Sequence, residues 1–176
     1  MTELELITQC RKQNRAAQKL LFERFSPKML GVCRRYLRSA EDAEDVMVEG
    51  LFKAMTNLEK YQATGSFEGW VRRIVVNEAL MFLRKKHTFE LSLEDAVLAN
   101  TLRSEDDTLG ALHVKEILRL VEILPVGYKT VFNLYVIEGY KHHEIAELLN
   151  ISTNTSKSQL MMAKNRLQEF IKKTQL

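Results

Sequence analysis

The chain has 176 residues, a net charge of +3 and 45% hydrophobic residues, enough for one large or two small domains with a substantial core. Two prolines and seven glycines, set among long periodic apolar runs, point to an all-α protein. No apolar stretch reaches the length of a membrane span, and MTELELITQCRKQ lacks the continuous apolar region of a signal peptide, so a cytoplasmic protein without membrane insertion is expected.

Cys10 and Cys33 are far apart and show no ligand spacing, which fits buried thiols in a reducing compartment. Charge is unevenly spread. Residues 1–87 hold 16 Lys/Arg and 11 Asp/Glu, a net of +5, and residues 111–176 hold 9 and 6, a net of +3. Between them, residues 88–110 hold one Arg and six acids, a net of −5. Two basic blocks flanking an acidic connector favour two separate contacts with a polyanion.

Residues 3–13 read as a short amphipathic helix, and Asn14 caps a second over 15–25. Ser26-Pro27 predicts a break and restart, with a new helix to about Arg38. Ser39-Ala40-Glu41-Asp42 is a capping signal into a helix of about 41–58. Its apolar side is Ala43, Val46, Met47, Leu51, Ala54, Met55 and Leu58. Glu41, Asp45 and Glu49 recur every four residues, with Asp42 at the edge of the stripe and Phe52 continuing it. Acids early in a helix favour its dipole, but an aromatic in line with them suggests a protein docking face.

Tyr61 to Ser66 is a polar loop, followed by a helix from Phe67 to His87. Val71, Val75 and Phe82 form its core side, and Arg73, Asn77 and Arg84 lie opposite, interrupted by Leu80. Trp70, the only tryptophan, sits at the margin near the loop. Cations for phosphate, a ring for stacking and a loop for a pocket are what an unpaired base requires, although a lone tryptophan is more often core. Residues 88–110 lose the periodicity and read as an interdomain linker.

A second domain is expected from about Ala111, with a helix over 111–124 ended by Pro125. Another, over about 127–137, carries Val131, Leu134 and Tyr135 and is ended by Gly139. Next comes a helical hairpin. Ile145, Leu148 and Leu149 recur at helical spacing, Asn150 suits a left-handed reversal, and Ser152 caps the last helix. That helix opens with polar residues expected to be exposed, Asn154, Thr155, Ser156, Lys157, Ser158 and Gln159, and carries Lys164 and Arg166. Such side chains suit the major groove and its phosphates.

No catalytic constellation is present. His143-Glu144-Ile145-Ala146-Glu147 approaches the zinc-protease motif, but a glutamate stands where the second histidine belongs. Neither a phosphate-binding glycine loop nor a nucleophile elbow occurs, so no cofactor or metal is expected and an enzyme is not.

Taken together, the motifs resemble a bacterial RNA polymerase sigma factor of the small, two-domain extracytoplasmic-function (ECF) type. Asp42-Ala43-Glu44-Asp45-Val46-Met47-Val48-Glu49 is similar to the family's D-A-E-D-hydrophobic-x-Q-E run in region two. Phe67-Glu68-Gly69-Trp70-Val71-Arg72-Arg73-Ile74, with Asn77 and Leu83-Arg84-Lys85-Lys86, is similar to F-x-x-W-L-x-R-I-A-x-N…L-R-R. Leu124-Pro125, Tyr128, Val131-Phe132 and the hairpin from Ile145 to Ser158 resemble region four.

The resemblance implies two helical domains, residues 1–87 and 111–176, joined by the acidic linker. It implies promoter recognition, promoter melting and no covalent chemistry. Asp42, Asp45 and Glu49, with Phe52, would face core RNA polymerase. Tyr61, Gln62 and Ser66 in the loop, with Trp70, Arg73, Asn77 and Arg84, would melt and hold the downstream promoter element. Lys157, Ser158, Gln159 and Met161 would reach the upstream element, with Lys164 on phosphate. An anti-sigma factor is a further implied partner.

Three positions depart from the family pattern. Val48 replaces a glutamine that would touch polymerase. Ser156 stands where a buried valine is usual, predicting looser packing, and Met162 stands where arginine is common, predicting a recognition helix poorer in charge. The competing readings are a stand-alone helix-turn-helix regulator, which would bind duplex DNA without polymerase, and a helical adaptor with no DNA affinity.

Overall fold

The computed structural model describes residues 2–86 and 114–174. They fall into two compact units, one within Met1–Lys86 and one within His87–Leu176. All regular structure among the described residues is helical. The acidic linker of 88–110 and the expected helix start at Ala111 and Leu112 lie outside the described residues.

The first unit opens with α1 (Glu3–Arg11), started by a reciprocal cap. Thr2 Oγ1 accepts from the Glu5 amide at 3.3 Å, and the Glu5 carboxylate accepts from the Thr2 amide at 2.8 Å. That backbone hydrogen bond holds the Glu5 carboxyl below its ordinary pKa. Gln13 takes a left-handed φ of 59°, turning the chain, and Asn14 caps α2 (Arg15–Tyr36) by accepting from the Ala17 amide at 3.1 Å.

The predicted break at Ser26-Pro27 does not occur, because α2 runs through Pro27 without interruption. A proline inside a helix forfeits one backbone bond and costs about 3 kcal/mol. Leu21, Phe25, Met29, Val32, Cys33 and Tyr36 are all buried along one side of this helix. Each large side chain among them contributes about 1.5–3 kcal/mol on burial, so core packing outweighs the local penalty.

Ser39 caps α3 (Ala40–Thr56) as predicted, accepting from the Asp42 amide at 3.2 Å. A 3-10 turn (Leu58–Lys60) and a loop lead to α4 (Phe67–Lys86). The helices α3 and α4 approach closely at Gly50, where a Cβ would lie 2.8 Å from Val75 Cγ2 and 3.1 Å from Val75 Cα. Only a hydrogen fits between these two helices at that level.

Two assignments on α4 change. Leu80 is buried, a core residue and no interruption of an exposed stripe. Phe82 is only half-buried, and the Lys86 ammonium lies 4.5 Å from its ring centroid. The phase of the helix is set by Val71, Val75, Val76, Ala79 and Leu83, all buried.

The second unit begins with α5 (Val114–Glu122), followed by Pro125 at the head of α6 (Val126–Phe132). Lys129 is fully buried, its ammonium 3.4 Å from the Glu122 carboxylate. The single helix predicted for 127–137 instead widens into a π-helical turn over Asn133–Ile137, where the Glu138 amide donates to Asn133 O at 2.9 Å. This widening turns Tyr135 outward, so it does not join Val131 and Leu134 in the core. Gly139 then ends the turn with φ of 78°.

The last pair is α7 (His142–Leu149) and α8 (Thr153–Thr174). Asn150 takes φ 56°, ψ 48°, the left-handed conformation expected of it. The Ile151 amide donates to Ala146 O at 3.0 Å, which closes α7. Ser152 caps α8 by accepting from the Thr155 amide at 2.9 Å.

Candidate nucleic-acid interfaces and a docking face

The loop between α3 and α4 frames a pocket of about 480 Å³ lined by residues including Tyr61, Gln62, Ser66, Trp70 and Arg73. Thr64 of the loop also lines it, as does Lys60, not singled out from the sequence. Phe67 is fully buried beneath. Its ring meets Phe25 edge-on at 5.4 Å and Tyr61 at 5.1 Å, and stacks on Trp70 at 5.7 Å with 25° between planes. Trp70 is thus half-buried, with part of its ring packed on this aromatic floor and part forming pocket wall.

The loop is held from within and from outside. Tyr61 Oη donates to Gly65 O at 2.6 Å, and Ser66 Oγ accepts from the Gly69 amide at 3.0 Å, capping α4. Ala63 carries a left-handed φ of 57° at the loop's crest. Arg11, at the end of α1, donates to Leu58 O at 3.0 Å and to Tyr61 O at 2.8 Å. Asn77 and Arg84 are exposed further along α4, at helical spacings that carry the line of Arg73 away from the pocket. A site of this size with aromatic walls, amide and hydroxyl groups and two cations suits one planar, polar ring attached to an anionic chain.

On α3, Glu41, Asp45 and Glu49 are exposed, and Phe52 is 59% exposed at the end of the line. Val48, one turn before Phe52, is 48% exposed, so the two form an apolar pair beside the acids. Asp42 differs from the other three. It is half-buried and its carboxylate lies 3.0 Å from the Lys86 ammonium, so it is already engaged within the unit. A groove of about 280 Å³ runs beside Asp45 and Glu49, bounded across from them by Glu78, Met81, Phe82 and Lys85 of α4.

In the second unit the outward face of α8 is narrower than predicted. Lys157 and Lys164 are exposed and Ser158 and Met161 half-exposed, with Asn154 exposed near the helix start. Gln159 is only 2% exposed, its amide packed against Gly127, so it is not placed to meet a ligand. Ser156 is fully buried too, its hydroxyl 2.9 Å from His142 Nδ1. A polar contact thus fills the place where looser packing was expected. Met162 is a core residue beside Ala163, so it removes no charge from the outward face.

The His142 ring also stacks on Tyr135, with centroids 4.5 Å apart and 22° between planes. Burial, followed by the charges of Lys157 and Lys164, pushes its pKa below the ordinary histidine value. The unfolded chain therefore takes up this proton first as pH falls through about 6.5. Stability contributed by neutral His142 is complete above that pH and is lost on the acid side. The thermal midpoint of the C-terminal unit should fall between pH 7.5 and 5.5, and His142→Asn should flatten that slope when followed by circular dichroism.

Among the described residues no group of three His, Cys, Asp or Glu side chains is placed to hold a metal, and no helix is long and apolar enough to cross a membrane.

Comparison with known proteins gives the family of both units. The Sigma-70 region 2 family matches residues 21–88, and the Sigma-70 region 4 family matches residues 115–167. The chain is 28% identical to the ECF RNA polymerase sigma-E factor of Haemophilus influenzae, over 97% of this chain and 96% of that one. It is 30% identical to the RNA polymerase sigma factor SigV of Bacillus subtilis, over 73% of this chain and 75% of that one. In fold it is similar to the sigma factor RpoE from Bartonella quintana, crystallised with the anti-sigma factor NepR. That match has a TM-score of 0.52 and 20% identity and covers 88% of this chain and 96% of that one.

Proposed function

The chain belongs to the extracytoplasmic-function sigma factors of RNA polymerase, and from that premise we propose how its residues divide the work. A sigma factor is the promoter-specificity subunit: it binds core polymerase and directs initiation at two promoter elements, with melting of the DNA. Here the N-terminal domain, residues 1–87, docks on polymerase and opens the downstream element. The C-terminal domain, 111–176, reads the upstream element, and the acidic linker joins them. The protein works in the cytoplasm and does no covalent chemistry.

The observation that carries this division is the pocket walled by Tyr61 and Trp70, with Arg73 beside it. One base leaves the stack and is held there, its ring against the aromatic wall and its edge on Gln62 and Ser66. Arg73, Asn77 and Arg84 follow the strand along α4. Binding energy that favours the unstacked strand opens the duplex. On α8, Lys157 and Lys164 hold phosphate while Ser158 and Met161 meet base edges. Gln159 is left out of this set, because its burial supports a packing role.

Asp45, Glu49 and Phe52 form the polymerase-docking face, with Val48 adding apolar contact where a glutamine is usual. Asp42 contributes by fixing α4 to α3 through Lys86. We also infer an anti-sigma partner that covers this face, as a protein of the same fold was crystallised with one.

The test is run-off transcription by purified core polymerase on fragmented host DNA. Start sites that require this protein are expected. Their absence, together with protection of duplex DNA by the protein alone, would replace this reading with a stand-alone regulator.

A further inference from the structure

We propose that Arg11 is a positioning residue for the base-holding loop, an inference that rests on the pocket reading above. Arg11 ends α1, more than 40 residues away in sequence from the loop, and lies outside every motif that points to DNA. Its Nη2 donates to Leu58 O at 3.0 Å and to Tyr61 O at 2.8 Å, and its Nε also reaches Leu58 O at 3.3 Å. Leu58 and Tyr61 bracket the 3-10 turn that delivers the chain to the pocket rim. Leu58 O also accepts from the Tyr61 amide at 3.1 Å, closing the turn, and a planar guanidinium can bind this carbonyl and that of Tyr61 at once.

The position of Tyr61 makes the contact more than a cap. Tyr61 is itself a wall of the pocket, its ring lies against Phe67 and Trp70, and its hydroxyl closes the loop onto Gly65. Fixing the Tyr61 carbonyl therefore fixes the backbone from which that wall projects. With Arg11 in place, the loop is tied at both sides: by α1 before Tyr61 and by the Ser66 cap after it. The left-handed Ala63 lies between these two ties. Arg11 does not line the pocket, so it acts on the base only through Tyr61. A site kept rigid in this way discriminates between bases by shape, whereas a loose rim would accept any of them.

The experiment selects, on holoenzyme assembled with core polymerase, DNA whose duplex ends flank a randomised single-stranded segment. Sequencing of the bound fraction reads base preference at each position. Wild-type holoenzyme is expected to enrich one base at one position, and Arg11→Met to flatten that preference by about fivefold, the lower end of a single base-stacking contact. Arg11→Lys, which can satisfy one carbonyl but not both in plane, should retain part of it.

Leu6→Val serves as the control, since it trims a buried residue of the same helix that does not line the pocket. Its thermal midpoint should fall while the preference persists. If Arg11→Met lowers the midpoint as Leu6→Val does and leaves the base preference intact, Arg11 is a structural cap and the proposal is overturned. If the wild-type holoenzyme itself enriches no base, the pocket reading fails, and this inference with it. That outcome is separable because it needs no variant.

Discussion

Replacing Phe67 by alanine is expected to destabilise the N-terminal unit by about 3–5 kcal/mol, the usual range for removing a buried aromatic. Phe67 has no exposed surface and touches three other rings, Phe25, Tyr61 and Trp70. For a unit of this size each kcal/mol corresponds to about 4–8 °C in midpoint, so the transition should move by well over 10 °C. Trp70 is the only tryptophan and stacks on the deleted ring, so its fluorescence follows the transition directly. The same substitution removes the floor of the pocket. Under conditions where the variant remains folded, it should dock on polymerase yet fail to open DNA. A midpoint within about 3 °C of wild type would mean that the aromatic cluster contributes little.

The second large effect concerns docking. Asp45→Lys combined with Glu49→Lys should weaken binding to core polymerase by about a hundredfold, in line with the coupling measured for close interfacial charges. Both side chains are exposed, and exposed substitutions usually change stability by less than about 0.5 kcal/mol, so the thermal midpoint should stay put. Affinity can be read by titrating labelled protein with polymerase at two salt concentrations. The wild-type value should weaken with salt, and the variant should have lost that dependence. Asp42→Asn offers a contrast, because it acts first on the Lys86 ion pair within the unit. Unchanged affinity in the double reversal would move the docking face elsewhere.

Local chemistry is legible in the sequence wherever a few adjacent residues decide the outcome. Ser39 and Ser152 cap their helices because the serine hydroxyl reaches an amide only three residues on. Asn150 reverses the chain because its own backbone tolerates the left-handed region. Sequence patterns mislead where distant packing decides. Pro27 looks like a break to its neighbours, but the buried side of α2 holds the helix together across it.

On α8 polarity is a poor guide to exposure, since it puts Ser156 and Gln159 on the outside. Leu160, Ala163, Leu167 and Ile171 mark the buried side, and Ser156 and Gln159 share it. Projecting that phase back to the helix start finds both. The π-helical turn is hidden because nothing in Asn133–Ile137 announces a change of period. Arg11 is hidden for a different reason: no local pattern reveals a donor whose acceptors lie 47 and 50 residues away.

The two cysteines have a practical consequence for labelling chemistry. Both are buried, and burial pushes Cys33 up to about 12 and raises Cys10 as well. Burial thus keeps both thiols protonated at neutral pH, and neither sulfur faces solvent. The folded protein should therefore ignore maleimide dyes without any native cysteine being removed. A single cysteine introduced at an exposed position such as Glu41 or Lys172 would then carry the only fluorophore. Placed on one unit and paired with dye-labelled DNA or polymerase, it turns each binding step into a separate optical signal.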